Sequence, residues 1–155
     1  MSANDPFRRP TFGPAVIYKD PRAAVVWLEM VFSFKPAMLI TDQDGNLVHA
    51  EMRFGDGTIM LGSEWSDFVA SPASTAGKNT QMVHVHLNDS IDEHYERAKA
   101  GGATILQGPE DQFWGDRTYR ARDLEGHVWT FGQTVRRISR EEAEQATGLK
   151  IEGWH

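Results

Sequence analysis

Two landmarks recur in this chain at one spacing. Tyr18-Lys19-Asp20 precedes a helical stretch, and Phe54-Gly55-Asp56-Gly57-Thr58-Ile59-Met60-Leu61 comes after it. Leu87-Asn88-Asp89 precedes a second helical stretch, and Asp123-Leu124-Glu125-Gly126-His127-Val128-Trp129-Thr130 comes after that one. Asp20 to Asp89 and Gly57 to Gly126 are both 69 positions apart. A shared offset across separate landmarks predicts two copies of one structural unit. In 155 residues each copy is small, so the two are expected to share a core as a single domain.

Local signals fill in each copy. Residues 15–19 read as a strand. Asp20 as N-cap and Pro21 at the first helical position open a helix that runs through Phe32 and ends before Pro36. Its apolar composition predicts a well-buried helix. Strands follow at 37–41, 47–54 and 58–62, joined by turns at Asp44-Gly45-Asn46 and Gly55-Asp56-Gly57. Residues 66–80, rich in Ser, Ala, Pro and Gly, connect the copies.

The second copy has a strand at 83–87. Asp89 or Ser90 caps its helix, which Gly101-Gly102 ends. Strands follow at 104–107, 117–122 and 127–132. Ser139-Arg140-Glu141-Glu142 is a capping box that opens a C-terminal helix. Residues 1–13 read as an extended arm. The order strand–helix–strand–strand–strand, twice, predicts an α+β fold with helices on one face of each sheet. The expected bounds are 12–65 for the first βαβββ module, 80–134 for the second and 135–155 for the helical tail.

Composition narrows the function. A net charge of −6 argues against nucleic-acid binding, which needs clustered Lys and Arg. There is no cysteine, so disulfides, thiolate metal sites and a Cys nucleophile are excluded. No apolar segment reads as a signal peptide or a membrane span, and a cytoplasmic location is the default expectation. No cofactor, nucleic acid or membrane partner is expected.

Strand periodicity separates two faces. Val83, Val85 and Leu87 should lie under a helix, with Met82, His84 and His86 opposite. Val48, Ala50, Met52 and Phe54 should face the helix, with His49, Glu51 and Arg53 opposite. The 69-residue offset carries this parity to Thr118, Arg120 and Arg122. A face rich in His, Glu and Arg is either a solvated outer surface or the wall of a polar cavity. The cavity is the sharper expectation, with Trp65 and Trp114 in loops beside it as aromatic surface. His127 and Trp129 should pack on the helix side, His94 should sit on a polar helix face, and His155 is terminal.

The ordered pieces resemble the vicinal oxygen chelate superfamily, the glyoxalase, bleomycin-resistance and extradiol-dioxygenase group. The likeness is carried by Ala15-Val16-Ile17-Tyr18-Lys19-Asp20-Pro21, Trp27-Leu28, the turn at Asp56-Gly57 with Ile59-Met60-Leu61, Ala98-Lys99-Ala100-Gly101-Gly102-Ala103, Trp114-Gly115-Asp116-Arg117, and 123–131. It covers about residues 12–134. The resemblance implies two βαβββ modules whose sheets form a cup or partial barrel. It also implies metal ligands on the first and last strand of each module in metal-dependent members. Carried onto this chain, those positions are Gly13, Leu61, Met82 and Thr130.

None of the four supplies the carboxylate or imidazole donors that a hard divalent ion needs. The expectation is therefore a small-molecule-binding protein of the bleomycin-resistance kind with a metal-free cup, sequestering an antibiotic or toxic compound. His49, Glu51, Arg53, Trp65, His84, His86, Trp114, Arg120 and Arg122 are its candidate ligand-binding residues. The alternatives are a metal-dependent lyase, isomerase or dioxygenase with a relocated site at His84, His86 and Glu51, or a metal-free acid–base enzyme. The resemblance and the apolar first helix also suggest a homodimer.

Overall fold

The computed structural model describes Asp5 and residues 8–154. The arm expected over residues 1–13 therefore lies partly, and His155 wholly, outside the described residues. The fold is α+β, with two βαβββ modules and a short C-terminal helix. By packing, the chain forms two units. One runs to Asn79 and includes Leu124–His127; the other comprises Thr80–Asp123 and Val128 onward. No described helix is long and apolar enough to cross a membrane.

The first unit contains β1 (Ala15–Tyr18), α1 (Pro21–Phe32), β2 (Lys35–Thr41), β3 (Leu47–Phe54) and β4 (Gly57–Ser63), with sheet order β1-β4-β3-β2. β1 runs parallel to β4, and the other pairs are antiparallel. Asp20 caps α1, its carboxylate accepting from Ala23 N at 3.0 Å. Ala24, Val25, Leu28, Val31 and Phe32 are buried, as are Val16, Tyr18, Ala50, Met52, Ile59 and Leu61 on one face of the sheet. The β2–β3 turn is tied by Asp42, whose Oδ1 accepts from Asp44 N and Asn46 N, both at 2.9 Å.

The α1 helix is not buried all round. Val26 and Met30, one turn apart, are 58% and 65% exposed. Apolar composition alone could not show this, because a helix of uniform hydrophobicity carries no stripe to mark its core face. Val48 is likewise exposed rather than helix-facing core.

The second unit repeats the plan with β5 (Val83–Leu87), α2 (Ile91–Ala100), β6 (Thr104–Asp111), β7 (Asp116–Arg122), β8 (Val128–Thr134) and, beyond the module, α3 (Arg140–Thr147). Its sheet order is β5-β8-β7-β6, with β5 parallel to β8. Pro109 is accommodated because β6 is an edge strand with irregular register. Tyr119, Ala121, Trp129 and Phe131 form the buried face, and Trp129 Nε1 donates to the buried Asp123 at 3.0 Å.

Three local expectations change here. Ser90 occupies the N-cap of α2 in a left-handed conformation and makes no capping bond. Gln133 of β8 replaces it, its Oε1 accepting from Ile91 N at 2.9 Å. His94 is buried, not on a polar face: its Nδ1 shares a 2.6 Å hydrogen bond with the Tyr119 hydroxyl. Its ring centroid lies 4.5 Å from that of Phe131. His127 lies in the turn before β8, where its Nε2 donates to Ile17 O at 2.6 Å and its ring meets Tyr18 edge-on. The capping box of α3 forms as expected, with Ser139 and Glu142 each bonding the other's backbone N–H.

Candidate functional site

Directly paired residues on neighbouring strands share a face, so register defines rows across each sheet. In the second unit one row reads Gln107, Arg120, Thr130, His84, from β6 across β7 and β8 to β5. The next row reads Glu110, Thr118, Gly132, His86. Both lie on the face away from the buried Tyr119 and Phe131. The sequence parity for His84, His86, Thr118, Arg120 and Arg122 is therefore what the register produces.

These side chains are arranged against one another. Arg120 Nε donates to Thr130 Oγ1 at 3.0 Å. Gln112 Nε2 donates to Thr118 Oγ1 at 3.0 Å, and Gln107 Nε2 approaches the same hydroxyl at 3.5 Å. The His84 ring lies over Gly132: a Cβ at that position would meet His84 Nε2 at 3.0 Å and Thr118 Cγ2 at 3.2 Å. A glycine inside a strand often marks such a close approach. Partial burial of the His84 imidazole holds its pKa below the ordinary value, against the opposing pull of Asp116; His86 and Arg120 add to the lowering. This favours the uncharged ring, in which one nitrogen donates and one accepts.

The corresponding face of the first unit is mainly apolar. Its rows are Met38, Glu51, Met60, Ala15 and Ile40, His49, Gly62, Ile17. Glu51 is mostly buried and pairs with Arg9, Nη1 to Oε2 at 3.2 Å, while His49 Nε2 lies 3.9 Å from Glu51 Oε1. Arg53 is exposed near the end of β3. Trp65 is 64% exposed and stacks edge-on with Phe68 at 5.0 Å. In the second unit, Trp114 is half-buried and stacks edge-on with Phe113 at 5.0 Å. Of the nine candidates, His49, Glu51 and Arg53 thus share one face, and His84, His86, Arg120 and Arg122 share another.

Gln107, Gln112 and Gly132 were not singled out by sequence, nor was Arg9. Gly132 had a signal, a glycine within a strand. The glutamines had none: Gln107 ends the expected strand whereas β6 runs on to Asp111, and Gln112 lies just beyond it.

Residues 13–131 match the model of the Glyoxalase/Bleomycin resistance protein/Dioxygenase superfamily. The chain belongs to this superfamily. Among solved structures it is similar to TioX from Micromonospora sp. ML1, at 34% identity over 79% of this chain and 97% of that one, with a TM-score of 0.62. The fosfomycin resistance protein FosX of Listeria monocytogenes shares the fold at 14% identity, covering 88% of this chain and 98% of that one, with a TM-score of 0.59. An uncharacterized Mycobacterium bovis protein is 29% identical over 147 residues, 93% of this chain and 96% of its own length.

The superfamily's metal positions can now be placed in the structure, and one moves. Leu61 is fully buried on the face toward α1, whereas Thr130 lies on the polar face. The cause is turn length. Gly55-Asp56 is a two-residue hairpin loop, but five residues, 123–127, separate β7 from β8. Glu51 and its partner Met60 are nine positions apart, and the equivalent Arg120 and Thr130 ten. One extra residue reverses which face a strand position occupies. Met60, not Leu61, is the counterpart of Thr130.

The donor set is then Gly13, Met60, Met82 and Thr130, which does not fit a hard divalent cation. Among the described residues no group of three His, Asp or Glu side chains is assembled to hold a metal ion.

Proposed function

We propose that this protein binds a small organic molecule on the polar face of its second sheet and sequesters an antibiotic or toxic compound in the cytoplasm. One observation carries the reading. The row Gln107, Arg120, Thr130, His84 presents four side chains able to donate hydrogen bonds, at and beside a position where metal-dependent relatives carry a ligand. The superfamily includes bleomycin resistance proteins, which supports a protective role.

Bleomycin and fosfomycin, the drugs named for the family and for one structural neighbour, are the first compounds to test. Binding is expected to raise the melting temperature with the compound recovered unchanged by mass spectrometry, and chelators are expected to have no effect. Conversion of a bound compound would replace sequestration by catalysis. The lowered pKa of His84 favours that second reading, because an uncharged imidazole can accept a proton. His84→Asn with His86→Asn separates the two: turnover lost with binding retained identifies an enzyme.

We also propose a homodimer. Val26 and Met30 leave an apolar patch on α1 that a second copy would cover. Light scattering is expected to give twice the chain mass, and Met30→Asp to shift it toward the monomer. A monomeric wild type would remove the proposal.

A further inference from the structure

We infer that the polar face of the second sheet receives an oxyanion, a carboxylate or a phosphate-ester group of the small molecule, with Arg120 as its cationic partner. This rests on the proposed function and specifies the chemistry of the same site.

Arg120 differs from its neighbours in what balances its charge. Arg9 pairs with Glu51, Arg117 with Asp92 and Asp111, and Arg140 with Glu141 and Glu144. Arg120 is half-buried and has no carboxylate within ion-pair distance among the described residues. Its one side-chain hydrogen bond there is from Nε to the neutral Thr130 hydroxyl, at 3.0 Å. Nη1 and Nη2 are left without a protein acceptor among those residues. A partly desolvated cation without a counter-charge is unfavourable, and an anion supplies what is missing. The guanidinium fork matches two oxygens of one carboxylate or phosphate, and the Thr130 bond holds its plane.

The rest of the row agrees. Gln107 Nε2 makes only a long 3.5 Å contact to Thr118, so the amide can turn toward a stronger acceptor. His84 offers a ring N–H. The charged or titratable groups on this face are Arg122 and Asp116 along β7 on either side of Arg120, His86, and Glu110 at the exposed edge. The nearby Asp116 carboxylate already accepts from Thr134 Oγ1 at 2.8 Å. The first unit provides an internal contrast: Glu51 stands where Arg120 does, with methionines on both flanks, and its charge is met by Arg9.

The test titrates 15N-labelled protein with phenylacetate, phenyl phosphate and the neutral 2-phenylethanol. At least one anion is expected to give saturable shifts at the Arg120 Nε–H and the Thr130 amide, weakening as salt is raised. Arg120→Met is expected to weaken binding at least tenfold, Arg120→Lys less, and the distant Arg140→Met not at all. An unchanged amide spectrum elsewhere establishes that the variants fold. Saturation by phenylacetate alone identifies a carboxylate site, and by phenyl phosphate alone a phosphate site. If 2-phenylethanol binds as well as the anions, or the anions bind Arg120→Met unchanged, the oxyanion assignment is overturned while small-molecule binding stands. No saturation by any of the three overturns both.

Discussion

Replacing Gly115 by alanine is expected to destabilise the second unit by about 3 kcal/mol or more. Two costs combine. Gly115 has φ +101°, a backbone conformation that strains any L side chain. A Cβ there would also run into the Arg136 carbonyl group. That carbonyl belongs to the backbone and cannot rotate away. It is held in place because the Gly115 carbonyl accepts from Val135 N at 2.9 Å and Arg136 N at 3.0 Å. The loop before β7 is thereby tied to the segment that follows β8. Gly148 is the control. It has φ +71° but open space around its Cβ position, so alanine there should cost only about 1 kcal/mol. Denaturant unfolding followed by tryptophan fluorescence measures both. Equal losses at the two positions would show that the collision with Arg136 does not exist.

Removing the Glu125 side chain is expected to cost about 2–4 kcal/mol. Its Oε1 accepts from Lys19 N at 2.7 Å and Ser71 Oγ at 2.6 Å, and its Oε2 accepts from Asp20 N at 2.9 Å. Ser71 is fully buried, so in Glu125→Ala its hydroxyl would lose a charged acceptor without regaining water. The Lys19 and Asp20 amides lie at the opening of α1, where a negative group is favoured. Glu125→Gln keeps one acceptor oxygen and should fall between wild type and alanine. Hydrogen exchange at Lys19 and Asp20 reads the effect directly: both amides should exchange faster in Glu125→Ala. Unchanged protection there would remove the carboxylate from this role.

His94 shows what sequence can hold without being read. Ile91, His94 and Ala98 are the buried positions of α2, spaced as one helical stripe, so the signal for a core histidine was present. It was overridden by the polar composition around it. Burial is tolerated because Tyr119 shares the ring's hydrogen bond. Arg9 had no such signal. Nothing local to the arm indicates that Arg9 meets Glu51 on a strand 42 residues away.

The amino-acid sequence alone determined the two modules, their element order, the α1 cap, the α3 capping box and the alternation of faces along each strand. These follow from interactions within a few residues, where spacing is direct information. Only the tertiary structure decided which residues line up between strands. The repeat spacing of 69 positions placed Leu61 opposite Thr130 in role, but the longer turn before β8 added one residue and gave that role to Met60. Pairing across strands also gathered Gln107, Arg120, Thr130 and His84 into one row while leaving the first sheet's equivalent row mostly apolar. Register depends on loop length and on long-range hydrogen bonding, and a one-residue change reverses a face, so the position of the chemistry was settled only when the strands paired.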